Sequence, residues 1–194
     1  MKEHSSLKIE SIDKSTDNTL KIYLGDLTYN TVTLATEAFP LNVGYIASYC
    51  KKLFGSNVNI TLFKYIDELE KAVIDNPPDI LGLSNYCWSH NVSYEIFKLC
   101  KEKNPNAVTI WGGPNFPLDS PSQIKFMKRY PFVDVYIPTE GEIGFANTVQ
   151  LVSNSNSKEN IFELLKENPV DGCITRKENG EIQQTISSIR ISEL

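Results

Sequence analysis

The chain has 194 residues, of which 41% are hydrophobic and 22% are charged, and its formal net charge is −5. These values are typical of a globular domain with a full core, and the lack of a basic cluster argues against nucleic-acid binding. Because no apolar run approaches the roughly 20 residues that cross a bilayer, and the polar start lacks the apolar core of a secretory signal, we expect a cytoplasmic protein with no membrane partner.

Strand-like and helix-like segments alternate along the chain after a polar arm, residues 1–18. The predicted strands are residues 20–27, 58–63, 79–86, 107–111 and 133–137. The predicted helices are residues 40–53, 66–76, 91–103, 121–130 and 141–152. This alternation favours an α/β fold, and we predict a flavodoxin-like (Rossmann-type) five-stranded parallel sheet with helices on both faces over residues 19–152.

The last part of the chain, residues 153–194, has a different pattern. A polar run at 153–158 reads as a linker, and residues 161–166 suit one more helical turn. Residues 173–176 and 181–184, joined by Glu178-Asn179-Gly180, predict a small hairpin. Since no stop signal marks the end, we expect a piece of a longer protein.

Two neighbouring strands of the predicted sheet end abruptly in small or polar residues. The third ends at Ser84-Asn85-Tyr86, and the fourth at Gly112-Gly113-Pro114. Ligands of open parallel sheets lie outside the carboxyl ends of the strands, and paired glycines leave the backbone open to close approach. We therefore predict a binding site at this edge.

The residues that often carry chemistry form no nucleophile–base or metal-ligand pattern. The four cysteines read as free thiols, and the lone His90 reads as a surface or capping group. Glu140-Gly141-Glu142 suits either helix capping or a site. Tyr86 and Trp88 suit either a buried aromatic cap or stacking on a flat cofactor. The residues at these last two places are thus compatible with both a structural and a binding role.

Four segments together resemble the amino-terminal cobalamin (vitamin B12)-binding domain of cobalamin-dependent radical S-adenosylmethionine enzymes. They are Pro40–Ala47 at the first helix, Ser84–Trp88, Trp111–Pro114 and Glu140–Glu142. The resemblance covers about residues 20–152, and residues 170–184 match the segment that those proteins place before their radical domain. It implies a cobalamin-binding module of a methyltransferase or an enzyme of related radical chemistry.

The resemblance also implies a set of cofactor-binding positions at the strand ends and the first helix. These are Asn30, Thr31, Asn42, Val43, Gly44, Ser84, Asn85, Tyr86, Trp88, Gly112, Gly113, Pro114, Asn115, Glu140 and Gly141. It places the nucleotide tail in a slot beside Gly112, Gly113 and Ser84, with the corrin ring over the strand ends.

Two motifs are missing, one from the wider cobalamin-binding superfamily and one from the radical S-adenosylmethionine enzymes, and the latter commonly lack the first motif as well. The loop Asp26–Thr31 has no histidine, so the implied cobalamin is base-off with no histidine ligand from the chain. The Cys-x-x-x-Cys-x-x-Cys run that holds the 4Fe–4S cluster is absent, which assigns the cluster, S-adenosylmethionine and catalysis to a radical S-adenosylmethionine domain of the parent chain. We therefore expect this fragment alone not to be catalytic.

Two other functions fit the sequence pattern. The threonine-rich loop, residues 28–33, offers hydroxyl and backbone N–H groups to the phosphate of a flavin or nucleotide, although it lacks the glycines of a dinucleotide or Walker loop. A degenerate domain without ligand, serving as a scaffold, is the other alternative.

Overall fold

The computed structural model describes residues 19–29, 40–155, 161–185, 187 and 191. The strands are β1 (Leu20–Thr28), β2 (Val58–Tyr65), β3 (Ile80–Ser84), β4 (Val108–Gly112), β5 (Val135–Ile137), β6 (Ile174–Arg176) and β7 (Ile182–Gln184). The helices are α1 (Leu41–Phe54), α2 (Ile66–Asp75), α3 (His90–Lys103), α4 (Ser120–Arg129), α5 (Gly141–Asn154) and α6 (Ile161–Glu167). A single 3-10 turn, Gly55–Asn57, joins α1 to β2.

The central strands are covered on both faces. All five residues of β3 and the first four of β4 are buried, which explains why these segments are apolar runs rather than alternating ones. Helices α1, α5 and α6 pack on one face of the sheet. Helices α2, α3 and α4 pack on the other. The helix α1 presents its buried side chains at helical spacing and ends at Gly55, whose φ of 56° suits glycine.

The sheet has the strand order β2-β1-β3-β4-β5-β6-β7, and its first five strands are parallel. The predicted parallel sheet with helices on both faces is therefore confirmed. Since the chain leaves β1 to one side for β2 and returns to the other side for β3, a crevice opens at the carboxyl ends of β1 and β3. None of the helices that the structure describes is long and apolar enough to cross a membrane.

The prediction of five strands is wrong, because the sheet has seven. Residues 173–184 do form a hairpin, but its first strand pairs antiparallel with β5, through Tyr136 and Ile174. The three-residue β5 would otherwise leave an unpaired edge, and the hairpin covers it. Hydrogen bonds anchor both hairpin strands: Arg176 donates to the Met127 and Pro131 carbonyls at the end of α4, and buried Gln183 donates to the Leu165 carbonyl of α6.

Candidate functional site

A cavity of about 430 Å³ opens at the carboxyl ends of the parallel strands, between α1 and α5. This volume lies within the range of small-molecule sites in proteins. Nine of the predicted site residues line it, namely Asn42, Val43, Ser84, Tyr86, Gly112, Gly113, Pro114, Glu140 and Gly141. The structure thus brings together residues that are far apart in the sequence.

The other predicted site residues do not line this cavity. Gly44 lies in α1, and Trp88 lies outside the cavity on the loop before α3. Asn85 and Asn115 are hydrogen-bonded to each other behind the cavity wall, with the Asn85 Nδ2 atom 2.8 Å from the Asn115 carbonyl oxygen. Asn30 and Thr31 lie outside the described residues.

The two adjacent glycines at the end of β4 have different physical roles. Gly113 has a φ of 127°, and a Cβ there would lie 3.0 Å from the Asn85 carbonyl oxygen, so only glycine fits without strain. A Cβ on Gly112 would meet only Ile137, at 3.5 Å or more, which is ordinary contact. Gly113 therefore shapes the backbone, whereas Gly112 leaves the cavity open.

A carboxylate beside the cavity, Asp26 of β1, is not among the site residues predicted from the sequence. Its side chain is half-buried and hydrogen-bonded to the side chains of Ser84 and Asn42, both of which line the cavity. The Asn42 Nδ2 atom also donates to Ser84 Oγ, at 2.9 Å. The feature of the sequence that could have identified Asp26 is an acidic residue near the end of a buried strand. A carboxylate without a partner is costly there, so such a residue is expected to have polar neighbours.

Burial raises the pKa of Asp26, and the hydrogen bonds from Ser84 and Asn42 oppose this rise only in part. Because the pKa of Asp26 is higher in the folded than in the unfolded state, the folded state binds a proton more readily than the unfolded state does. The ionised carboxylate therefore destabilises the fold at neutral pH, and this cost disappears once the group is protonated at low pH. We expect Asp26→Asn to raise the free energy of unfolding at pH 7, with the gain shrinking towards pH 4. Urea unfolding at both pH values measures this.

Glu70→Gln, which removes an exposed carboxylate from the middle of α2, is the matched control. It should leave the free energy of unfolding nearly unchanged at both pH values. An Asp26→Asn variant that is less stable than the parent at pH 7 contradicts the assignment.

A flat aromatic surface stands beside the cavity mouth. The rings of Tyr86 and Trp88 stack with centroids 4.5 Å apart and planes within 5°. Tyr86 lines the cavity, whereas Trp88 is 54% exposed. A buried aromatic cap does not describe Trp88, and its exposed face is available to a flat ligand.

The cysteine side chains offer no activated thiolate in the core. Burial raises the pKa of Cys50, Cys100 and Cys173 to about 12, so these three are neutral thiols at pH 7. Cys87 is exposed, and all four are free. Among the described residues, no three His, Cys, Asp or Glu side chains are grouped so as to hold a metal ion.

The class of protein is identified by a comparison with known families. The family model for the B12 binding domain matches residues 28–149, and the chain belongs to this family. The resemblance seen in the sequence is therefore confirmed.

Two individual relatives of this chain are methyltransferases. The chain is 30% identical over 112 residues to the cobalamin-dependent radical SAM methyltransferase TokK of Streptomyces tokunonensis, covering 55% of this chain and 16% of TokK. It is 36% identical over 117 residues to the 2-(S-pantetheinyl)-carbapenam-3-carboxylate methyltransferase of Streptantibioticus cattleyicolor, covering 57% of this chain and 16% of the relative. The chain thus spans a small part of both relatives.

A solved structure shares the fold. The cobalamin-dependent S-adenosylmethionine radical enzyme OxsB, with aqua-cobalamin and S-adenosylmethionine bound, superposes with a TM-score of 0.57 at 22% sequence identity. The match covers 88% of this chain and 22% of OxsB. The likeness therefore covers most of this chain and less than a quarter of OxsB.

Proposed function

We propose that this B12-binding domain holds base-off cobalamin, with the nucleotide tail in the cavity and the corrin ring over the strand ends beside Trp88. The observation that carries this proposal is the open space above Gly112. A flat benzimidazole needs a narrow, mostly apolar slot with few polar groups, and the cavity offers this between α1, α5 and the ends of β3 and β4.

Particular side chains of the site have separate tasks. Ser84 and Asn42 supply a hydroxyl and an amide at the polar wall of the slot, and Asp26 orients both. Trp88 supplies an aromatic face for the corrin side of the ligand. Bound cobalamin supplies methyl-transfer or one-electron chemistry, while the protein supplies binding and orientation.

The absence of a histidine ligand to cobalt is also part of the proposal. His90 is the one histidine among the described residues, and both of its ring nitrogens are engaged, Nδ1 with Asn85 and Nε2 with Tyr130. Residues 26–29, at the end of β1, contain no imidazole. These observations support a lower cobalt face that is not bound by histidine.

The reaction belongs to a longer protein. One relative of this chain is a cobalamin-dependent radical SAM methyltransferase and another is a methyltransferase, and the match covers 16% of each. We assign the 4Fe–4S cluster, S-adenosylmethionine and catalysis to a radical domain of the parent chain. Residues 19–152 bind cobalamin in this proposal, and residues 153–194 lead towards that domain. A cytoplasmic location fits the four free thiols.

A titration of the purified domain with hydroxocobalamin tests the proposal. We expect the pigment to co-elute with the protein in gel filtration, with a visible spectrum shifted as for base-off cobalamin. Flavin mononucleotide is the control ligand, and we expect it to leave the melting temperature unchanged. Protein that elutes colourless contradicts the proposal, and stabilisation by the flavin would favour the flavin alternative instead.

A further inference from the structure

A polar network lies behind the cavity wall that Gly112, Gly113 and Pro114 form. Its centre is Asn85, which is completely buried. The Asn85 backbone N–H donates to the Gly112 carbonyl, and the Asn85 carbonyl accepts from the Asn115 N–H at 3.3 Å. The wall segment from Gly112 to Asn115 is therefore attached at both ends to one residue.

The side chain of Asn85 extends this attachment. Its Nδ2 atom donates to the Asn115 carbonyl at 2.8 Å and to the Tyr136 hydroxyl at 3.1 Å. The Tyr136 hydroxyl in turn donates to the Gly113 carbonyl, at 2.8 Å. The amide nitrogen of Asn85 thus bonds to the wall once directly and once through Tyr136, which requires one of the two possible orientations of the amide group.

The residue that faces the oxygen of this amide is His90, which the sequence pattern marked only as a surface or capping group. Its ring is half-buried and stacks on buried Trp111, with centroids 4.5 Å apart. The His90 Nδ1 atom lies 2.9 Å from Asn85 Oδ1, and Nε2 lies 2.8 Å from the Tyr130 hydroxyl.

The hydrogen-bond partners determine the tautomer of His90. Asn85 Oδ1 only accepts, so Nδ1 carries the proton and donates to it, and Nε2 accepts from the Tyr130 hydroxyl. The Asn115 Nδ2 atom lies 3.3 Å from the same Oδ1 and 3.2 Å from His90 Nδ1. With the proton on Nδ1, this amide donates to Oδ1 as its second donor. If the Asn85 side-chain amide were turned over, its NH2 group would face two other donors, His90 Nδ1–H and Asn115 Nδ2.

The surroundings of the ring favour its neutral form. The titratable and charged groups that face His90 are the Tyr130 hydroxyl and the Arg129 guanidinium, both at the end of α4. Burial, and next the Arg129 charge, lower the pKa of His90. The neutral ring with its proton on Nδ1 is therefore the form present at pH 7.

We propose that His90 is a positioning residue, which fixes the Gly112–Asn115 wall through Asn85 and thereby controls how tightly the domain holds the nucleotide tail of cobalamin. This inference rests on the proposed function. His90 itself does not line the cavity, so its effect on the ligand passes through the wall.

A matched pair of variants at position 90 tests the inference. Asparagine and leucine have nearly the same shape, and both remove the ring, but only asparagine places an N–H near the position of Nδ1. We expect His90→Asn to bind hydroxocobalamin within about threefold of the parent, and His90→Leu to bind about tenfold more weakly, because the buried Asn85 Oδ1 atom loses the nearer of its two donors. Equal affinities for the two variants overturn the inference.

Tyr130→Phe keeps the ring at position 90 and removes the hydroxyl that donates to its Nε2 atom. We expect Tyr130→Phe to weaken hydroxocobalamin binding about threefold in the parent background. In the His90→Asn background we expect no loss, since the asparagine side chain at position 90 does not need the Tyr130 hydroxyl. The same loss in both backgrounds contradicts the inference. This variant also keeps the test decisive if His90→Leu does not fold.

Two measurements without ligand separate this inference from the proposed function. Nitrogen chemical shifts of the His90 ring should report a proton on Nδ1. Hydrogen exchange of the Asn115 backbone N–H, which donates to the Asn85 carbonyl, should be faster in His90→Leu than in the parent, and unchanged in His90→Asn. If the parent does not bind cobalamin, the proposed function fails, and these two measurements still decide whether His90 positions the wall: a proton on Nε2 or equal exchange overturns it.

Discussion

Gly112→Trp is expected to abolish cobalamin binding and to leave the fold intact. Gly112 lines the cavity, and the direction of its missing side chain meets only Ile137 at ordinary contact distances. An indole group there enters the space assigned to the nucleotide tail without displacing the sheet. We expect the affinity for hydroxocobalamin to fall by more than about 100-fold, equivalent to about 3 kcal/mol, with a far-ultraviolet circular dichroism spectrum like that of the parent.

Gly112→Ala is the control for this experiment. A single methyl group fits at position 112, so we expect its affinity to stay within about threefold of the parent, a change below about 1 kcal/mol. Gly112→Trp protein that is folded and binds hydroxocobalamin as tightly as the parent would exclude the cavity as the site of the tail.

Gly144→Val is expected to destabilise the domain strongly. Gly144 of α5 lies against the turn before β6, where a Cβ would stand 2.8 Å from the Gly172 carbonyl oxygen and 3.2 Å from Cys173 Sγ. Gly172 has a φ of 81°, so this turn cannot easily move. Overpacking against backbone costs about 3 kcal/mol here, which corresponds to a melting temperature lowered by roughly 6–12 °C.

The control for this change is Gln150→Val, which places the same β-branched side chain at a partly exposed position of the same helix. Its cost is limited to helix propensity and one exposed hydrogen bond, and we expect less than about 1 kcal/mol. Thermal unfolding compares the two variants. If both are equally stable, the hairpin is not packed on α5, and β6 and β7 would not belong to the core of this domain.

Much of the fold could be predicted because the signals are local. Strands such as β3 and β4 are buried on both faces, so they appear as short apolar runs that end in glycine, asparagine or serine. The sixth and seventh strands could be recognised as a hairpin because Glu178-Asn179-Gly180 between them is a local turn signal. Their partner could not, since the pairing of Tyr136 with Ile174 joins distant parts of the chain and has no local pattern.

The candidate site was predictable to a similar extent. Gly112, Gly113 and Ser84 stand at strand ends, where a parallel sheet places its ligands, and these three line the cavity. Asp26 was not found, because its partners Ser84 and Asn42 are brought to it only by the sheet and by α1. His90 was misjudged for the same reason, since its stacking on Trp111 and its bond to Asn85 are tertiary contacts.

By itself, the sequence determined the order of the strands and helices, the edge of the sheet that holds the cavity, and the B12-binding family. These depend on short-range patterns of apolar residues, glycine and proline, which act within one strand, helix or turn. Only the tertiary structure decided that the hairpin completes the sheet, that Gly113 serves the backbone while Gly112 leaves space, that Asp26 contacts Ser84 and Asn42, and that His90 contacts Asn85. Those features depend on distances between segments that meet only when the sheet is assembled.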